Sequence, residues 1–101
     1  MKVYGFGKKN NGVFEIENSL EAFQEYVGGY IESIGLTSSG LVIICDEEGK
    51  IKGKDYTITC KKLGIDLVGD IFIARENHTD EDFTDIREDD IKVIESIFGI
   101  E

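Results

Sequence analysis

The sequence predicts an α+β fold: a small mixed sheet of about five strands with two helices, in the order ββαββ(α)βα. Three observations point there. Leu41–Cys45 and Ile71–Ala74 are continuous apolar runs of strand length, as interior strands covered on both faces require. Leu20, Phe23 and Val27, and again Ile91, Ile94 and Phe98, recur at helical spacing. The chain has 101 residues, 41% of them hydrophobic, and a domain of this size buries roughly two-thirds of the surface its unfolded form exposes. The expectation is one globular domain over residues 1–101.

The elements follow in order. Val3–Phe6 and Val13–Ile16 flank a polar connection containing Asn11-Gly12, which signals a β-hairpin. Asn18 is the expected N-cap of the first helix, with Glu21 three residues on in the manner of a capping box. Gly28-Gly29 ends that helix, because a left-handed residue after the last turn suits glycine. Tyr30–Leu36 then reads as a strand, Thr37–Gly40 as a turn and Leu41–Cys45 as a central strand. Asp46–Gly49 is a turn, with Lys50–Lys52 a short continuation. Between Asp55 and Leu63 the pattern is divided: Tyr56, Cys60 and Leu63 share a helical face, whereas Thr57–Cys60 alternates like a strand. The reading leans to a short helix. Ile71–Ala74 is a further interior strand, and Asn77–Thr84 a polar loop. The C-terminal helix, stopped by Gly99, opens with Glu88, Asp89 and Asp90, which suit the positive end of its dipole.

The formal charge is −10, from 21 acidic and 11 basic residues. Nucleic-acid affinity depends on Lys and Arg displacing counterions, so the charge argues against nucleic acid as a partner and for a basic protein. The charge is polarised. Asp80–Asp90 holds seven acids and Arg87, whereas Lys50–Lys62 holds five lysines and Asp55. The lysines read as a solvated strand edge that discourages aggregation. No apolar run approaches the roughly 20 residues of a membrane span, and Met1–Phe6 does not resemble a signal peptide, so a cytoplasmic location is expected. Cys45 and Cys60 lack the companions of a zinc site and read as reduced thiols.

Motifs for chemistry are missing. Gly5, Gly7 and Gly12 are mis-spaced for a dinucleotide loop, and no phosphate-binding loop occurs. His78 has no thiol or nucleophile elbow near it in sequence. The string Asp80–Asp85 lacks the glycine and glutamate of an EF-hand, since Asp85 and Ile91 stand at those places. Asn77-His78-Thr79 is a glycosylation sequon in form only. Glu47-Glu48 reads as a solvated pair rather than an acid–base couple. The expectation is therefore no catalytic residue, no cofactor and no metal, in a protein that is not an enzyme.

Several segments together resemble a known family. They are Glu15–Glu21 (EIENSLE), Val27–Glu32 (VGGYIE), Leu41–Cys45 running into Asp46–Lys50 (DEEGK), and Gly69–Ala74 (GDIFIA). Their order is similar to that of the domain of unknown function 3846, small proteins of Firmicutes, their phages and mobile elements. After Lys52 the chain departs from the family's usual proline and asparagine, reading Gly53 to Thr57 as GKDYT. The resemblance implies an accessory protein that binds another protein, with Tyr30, Glu32, Glu47 and Glu48 as its recognition surface. Two alternatives stand beside it. One is an inhibitor that imitates the charge of DNA through Asp82, Asp85 and Asp89. The other is a small-ligand module or enzyme whose pocket the sequence does not reveal. A homodimer through a sheet edge is a further expectation.

Overall fold

Strand pairing follows from where the continuous apolar runs must go. A computed structural model describes residues 1–77 and 82–100. Its elements are β1 (Lys2–Phe6), β2 (Gly12–Glu15), α1 (Leu20–Val27), β3 (Ile31–Gly35), β4 (Leu41–Asp46), β5 (Tyr56–Cys60), β6 (Ile65–Val68), β7 (Ile71–Asn77), β8 (Asp82–Thr84) and α2 (Glu88–Ile97). The two unbroken runs become β4 and β7, side by side in a sheet ordered β2-β1-β7-β4-β3, with β8 added to the end of β7. β5 and β6 form a separate hairpin. Every pairing among the described residues is antiparallel. The α+β class holds, with more strands than the five expected.

All six residues of β4 are buried because the sheet is covered on both sides. Leu41, Ile43 and Cys45 face a core closed by Ile94 of α2, by Phe98 just after it, and by Cys60 and Leu67 of the hairpin. Val42 and Ile44 face Phe23 and Val27 of α1. Burying side chains of this size stabilises by roughly 1.5–3 kcal/mol each, which anchors a helix of only eight residues.

Several sequence expectations are corrected. Residues 56–60 form a strand, because Ile58, Thr59 and Cys60 pair with Leu67, Asp66 and Ile65 in a hairpin whose tight turn ends at Gly64. Leu63 lies in that turn and is no core residue. Asp82–Thr84 is a short strand on β7 rather than loop. Lys50–Lys52 belongs to a turn and continues no strand. The N-cap of α1 is Ser19, whose Oγ accepts the Ala22 N–H at 3.1 Å, while Asn18 donates to the Phe83 carbonyl. Gly28, at φ 81°, ends α1 as expected. Asp90 is buried instead of displayed at the mouth of α2. Its carboxylate accepts the Arg87 N–H at 2.7 Å and closes on the buried Arg75 guanidinium. The readings placed on His78, Thr79, Asp80 and Glu81, including the start of the calcium-like string and most of the sequon, lie outside the described residues.

Candidate functional site

Three features of the surface bring functional groups together: a corner where β3 meets the hairpin, a lysine-lined cleft, and the acidic end of the sheet.

The corner begins with the hydrogen-bond phase of β3. The Glu47 N–H donates to the Tyr30 carbonyl at 2.9 Å, and the Leu36 N–H donates to the Leu41 carbonyl at 2.8 Å. Antiparallel pairs alternate between bonded and non-bonded, so Tyr30, Glu32, Ile34 and Leu36 bond inward to β4. Ile31, Ser33 and Gly35 therefore turn their N–H and C=O groups outward, along the edge of the sheet. Side chains alternate as well. Glu32 and Ile34 lie on the face of Cys45, where a groove of about 270 Å³ opens between β3, the turn after β4, and β6. Ile34, Ile51, Ile65 and Leu67 give it apolar walls, and Glu32, Glu47, Asp66 and Lys50 stand at it as charged groups. Tyr30 is 70% exposed and Ile51 86% exposed.

Of the residues singled out in the sequence, Tyr30, Glu32 and Glu47 are thus brought together. Glu48 follows on the turn, exposed, its N–H held by Asp46 Oδ1 at 2.9 Å. Cys45 closes the groove floor without offering a nucleophile. Burial, then the charges of Glu32 and Asp46, push its thiol up to about 11.

The cleft, about 720 Å³, lies at the C-terminal end of α1. That helix has no basic residue in its own last turn, so distant lysines satisfy its final carbonyls. Lys9 Nζ reaches the carbonyls of Glu25 and Tyr26 at 3.3 and 3.0 Å, Lys52 Nζ that of Gly28 at 3.1 Å, and Lys54 Nζ that of Val27. Asp46, with its side chain only 2% exposed, holds Lys52 at 2.9 Å and Lys54 at 2.7 Å. Burial alone would raise its pKa. The hydrogen bonds from Lys54, Lys52 and the Glu48 N–H outweigh that and hold it at about 2. Three of the five lysines of Lys50–Lys62 are therefore engaged rather than solvated: Lys52 and Lys54 cap α1, and Lys62 donates to the Leu36 carbonyl at 2.6 Å, whereas Lys50 and Lys61 are exposed.

Charge decides what the cleft can do. Lys8, Lys9, Lys52 and Lys54 face Asp46, Asp55, Asp70 and a helix end worth about half a negative charge. About half a positive charge is left, too little to concentrate anions. The lysines are structural.

The third feature lies at the far end of the sheet. β8 pairs with Arg75–Asn77, next to Leu41, whereas Tyr30 and Glu47 sit beside Asp46 at the other end of β4. Asp82, Asp85 and Asp89 are exposed there. Asp82 accepts the Phe83 N–H at 2.7 Å, and Asp85 the Lys2 N–H at 2.9 Å. The seven residues singled out in the sequence thus form two groups on opposite ends of the molecule.

Sequence reasoning missed the second wall of the groove, Ile51 and the strand Ile65–Val68. The available signal was Ile65-Asp66-Leu67-Val68 bracketed by Gly64 and Gly69, both at positive φ. Among the described residues no group of three or more His, Cys, Asp or Glu is placed to hold a metal ion, and no helix is long and apolar enough to cross a membrane.

A family model described as Domain of unknown function (DUF3846) matches residues 6–99. No curated protein and no solved structure matches the chain.

Proposed function

The chain belongs to the family of the domain of unknown function DUF3846, and from that premise we propose that it acts by binding another protein, without catalysis. The observation that carries this reading is the β3 corner. An exposed Tyr30 and an exposed Ile51 there flank an apolar groove with acids at its rim. Large exposed apolar groups beside a groove are what recognition surfaces are built from. The titratable groups support the non-catalytic part. Proton transfer at neutral pH wants a pKa moved toward 7. Here Asp46 and Asp90 are moved down, while Tyr4, Tyr26 and Cys45 are moved up to between about 11 and 12. In this reading it is a cytoplasmic accessory protein of phages or mobile elements, which the family resemblance supports.

Affinity capture from a host lysate at physiological salt tests this. The wild-type chain and a Tyr30→Ala/Glu47→Lys variant would be compared side by side. A protein retained by the first and lost by the second, with crosslinks mapping to β3 and the following turn, is the expected result. No specific retention by either chain overturns the reading.

A second reading has its own observation. Asp82, Asp85, Glu88 and Asp89 are all exposed at one end of a chain carrying −10. We propose as the alternative an inhibitor that imitates the charge of DNA and occupies a basic nuclease or defence protein. Binding would collapse with salt, and charge reversal at Asp82, Asp85 and Asp89 would abolish it. Unchanged inhibition by that triple variant excludes the alternative.

A further inference from the structure

We infer that the outer edge of β3 receives an extended segment of the partner as an added β-strand, and that this segment carries a large apolar side chain with Lys or Arg two residues to either side of it. The inference rests on the protein-binding reading above and names how and what the corner binds.

The backbone supplies the first argument. Ile31, Ser33 and Gly35 present three N–H and three C=O groups along one side of a terminal strand. Such a row is a template for another strand, and main-chain pairing of this kind gives affinity without regard to sequence. At the opposite edge the template is smaller. Met1 and Ile16 exchange backbone bonds at 2.7 and 2.9 Å, which sets the phase so that only Val13 and Glu15 of β2 face outward.

The groove supplies the side-chain chemistry. A strand laid against β3 alternates its side chains as β3 does, so every second one falls on the face of Glu32 and Ile34, at the mouth of the groove. The walls of Ile34, Ile51, Ile65 and Leu67 suit one large apolar side chain. The side chains two residues to either side of it share that face and meet Glu32, Glu47 and Asp66 against the single Lys50, an excess of negative charge that favours Lys or Arg there.

The same charges argue against a second copy of this chain as the occupant. Pairing β3 with β3 would set the acidic rims together and bring −10 against −10. The edge is thereby biased away from self-association and toward a basic partner.

The test uses the full chain, isotopically labelled for NMR, and as probe a capped octapeptide with one isoleucine, a lysine two residues to either side of it, and threonines between. Addition should move the amide signals of Ile31, Ser33 and Gly35 together with Ile51 and Ile65. Ser33→Pro should weaken binding at least tenfold. Its N–H makes no ladder bond, and an edge strand with its N–H toward solvent is where proline is tolerated. Gly35→Lys is the second variant: an added Cβ meets nothing within 4 Å, and the new charge repels a basic strand. It should weaken binding likewise, while the spectrum away from β3 stays that of the wild type.

Equal binding by wild type and both variants overturns the inference, because attachment is then by charge alone. Peptide shifts confined to Asp82, Asp85 and Asp89 also overturn it, yet leave the protein-binding reading standing. A dimer in light scattering that Ser33→Pro dissociates overturns it too, by giving the edge to a second copy. Failure of the lysate capture, by contrast, removes the parent reading itself.

Discussion

Asp46→Asn removes one charge and leaves the side-chain shape nearly unchanged, which isolates the clamp at the end of α1. The carboxylate is buried between Lys52 and Lys54, which also hold the last carbonyls of the helix. Folding carries its pKa from the ordinary 3.8 to about 2. Each unit of pKa corresponds to 1.36 kcal/mol, so the ionised form contributes about 2 kcal/mol at neutral pH. The pKa is lowered on folding, so this contribution is complete above about pH 4 and fades as pH falls toward 2. Urea unfolding of the Asp46→Asn variant at pH 7 should therefore show a loss of about 2 kcal/mol with an unchanged slope. The gap to wild type should narrow steadily between pH 4 and pH 2. Lys54→Met should lose less than Asp46→Asn, because Lys52 remains to pair the carboxylate. A variant as stable as wild type at pH 7 refutes the clamp. A loss of the same size at pH 2 and pH 7 shows that shape, not charge, carried it.

The remaining predictions concern the core and its tight turns. Asp90→Ala strands the buried Arg75 guanidinium without its carboxylate and should cost about 3 kcal/mol or more in the same unfolding assay; a cost below 1 would contradict a closed pair. Gly7→Ala sets a Cβ against Asp70 Oδ1 and 3.0 Å from Asp70 Cα at φ +142°, and should destabilise by about 2 kcal/mol. Gly64→Ala, with open space at φ +68°, should cost only about 1, so equal losses at the two sites would argue against the Gly7–Asp70 approach. Ellman's reagent at pH 8 should find Cys45 and Cys60 unreactive in the native protein and two thiols after denaturation, since both are buried and the Cys45 thiol is held near 11. Rapid native reaction at Cys45 would make the groove a reactive site after all.

Legibility tracked how local the deciding interactions were. Leu41–Cys45 and Ile71–Ala74 announced themselves, because a strand buried on both faces needs no partner to explain its composition. α1 is legible from the spacing of Phe23 and Val27, but its cap lies one residue later than the sequence predicts, because Asn18 is drawn off by the Phe83 carbonyl of β8. The β5–β6 hairpin was not legible. Tyr56 and Leu63 point outward, so the apparent helical face of Tyr56, Cys60 and Leu63 is a coincidence of spacing around one buried residue, Cys60. The same failure hid half of the candidate site. Tyr30, Glu32 and Glu47 lie on neighbouring strands close in sequence, whereas Ile65 and Leu67 reach the groove only once the hairpin folds across the sheet. The lysines of 50–62 were misread for a related reason. The partners of Lys52, Lys54 and Lys62 are carbonyls some 25 residues earlier, at the end of α1 and just after β3, which charge patterning along the chain does not reveal.

If a partner is received at the open edge of β3, amide hydrogen exchange reads that edge atom by atom. In the free chain, the inward N–H groups of Glu32 and Ile34 should be protected while those of Ser33 and Gly35 exchange quickly, an alternation along one strand. With the captured partner bound, exchange at Ile31, Ser33 and Gly35 should slow at least tenfold. Outward amides already protected in the free chain, or unchanged by a partner that protects Asp82–Asp89 instead, would contradict it.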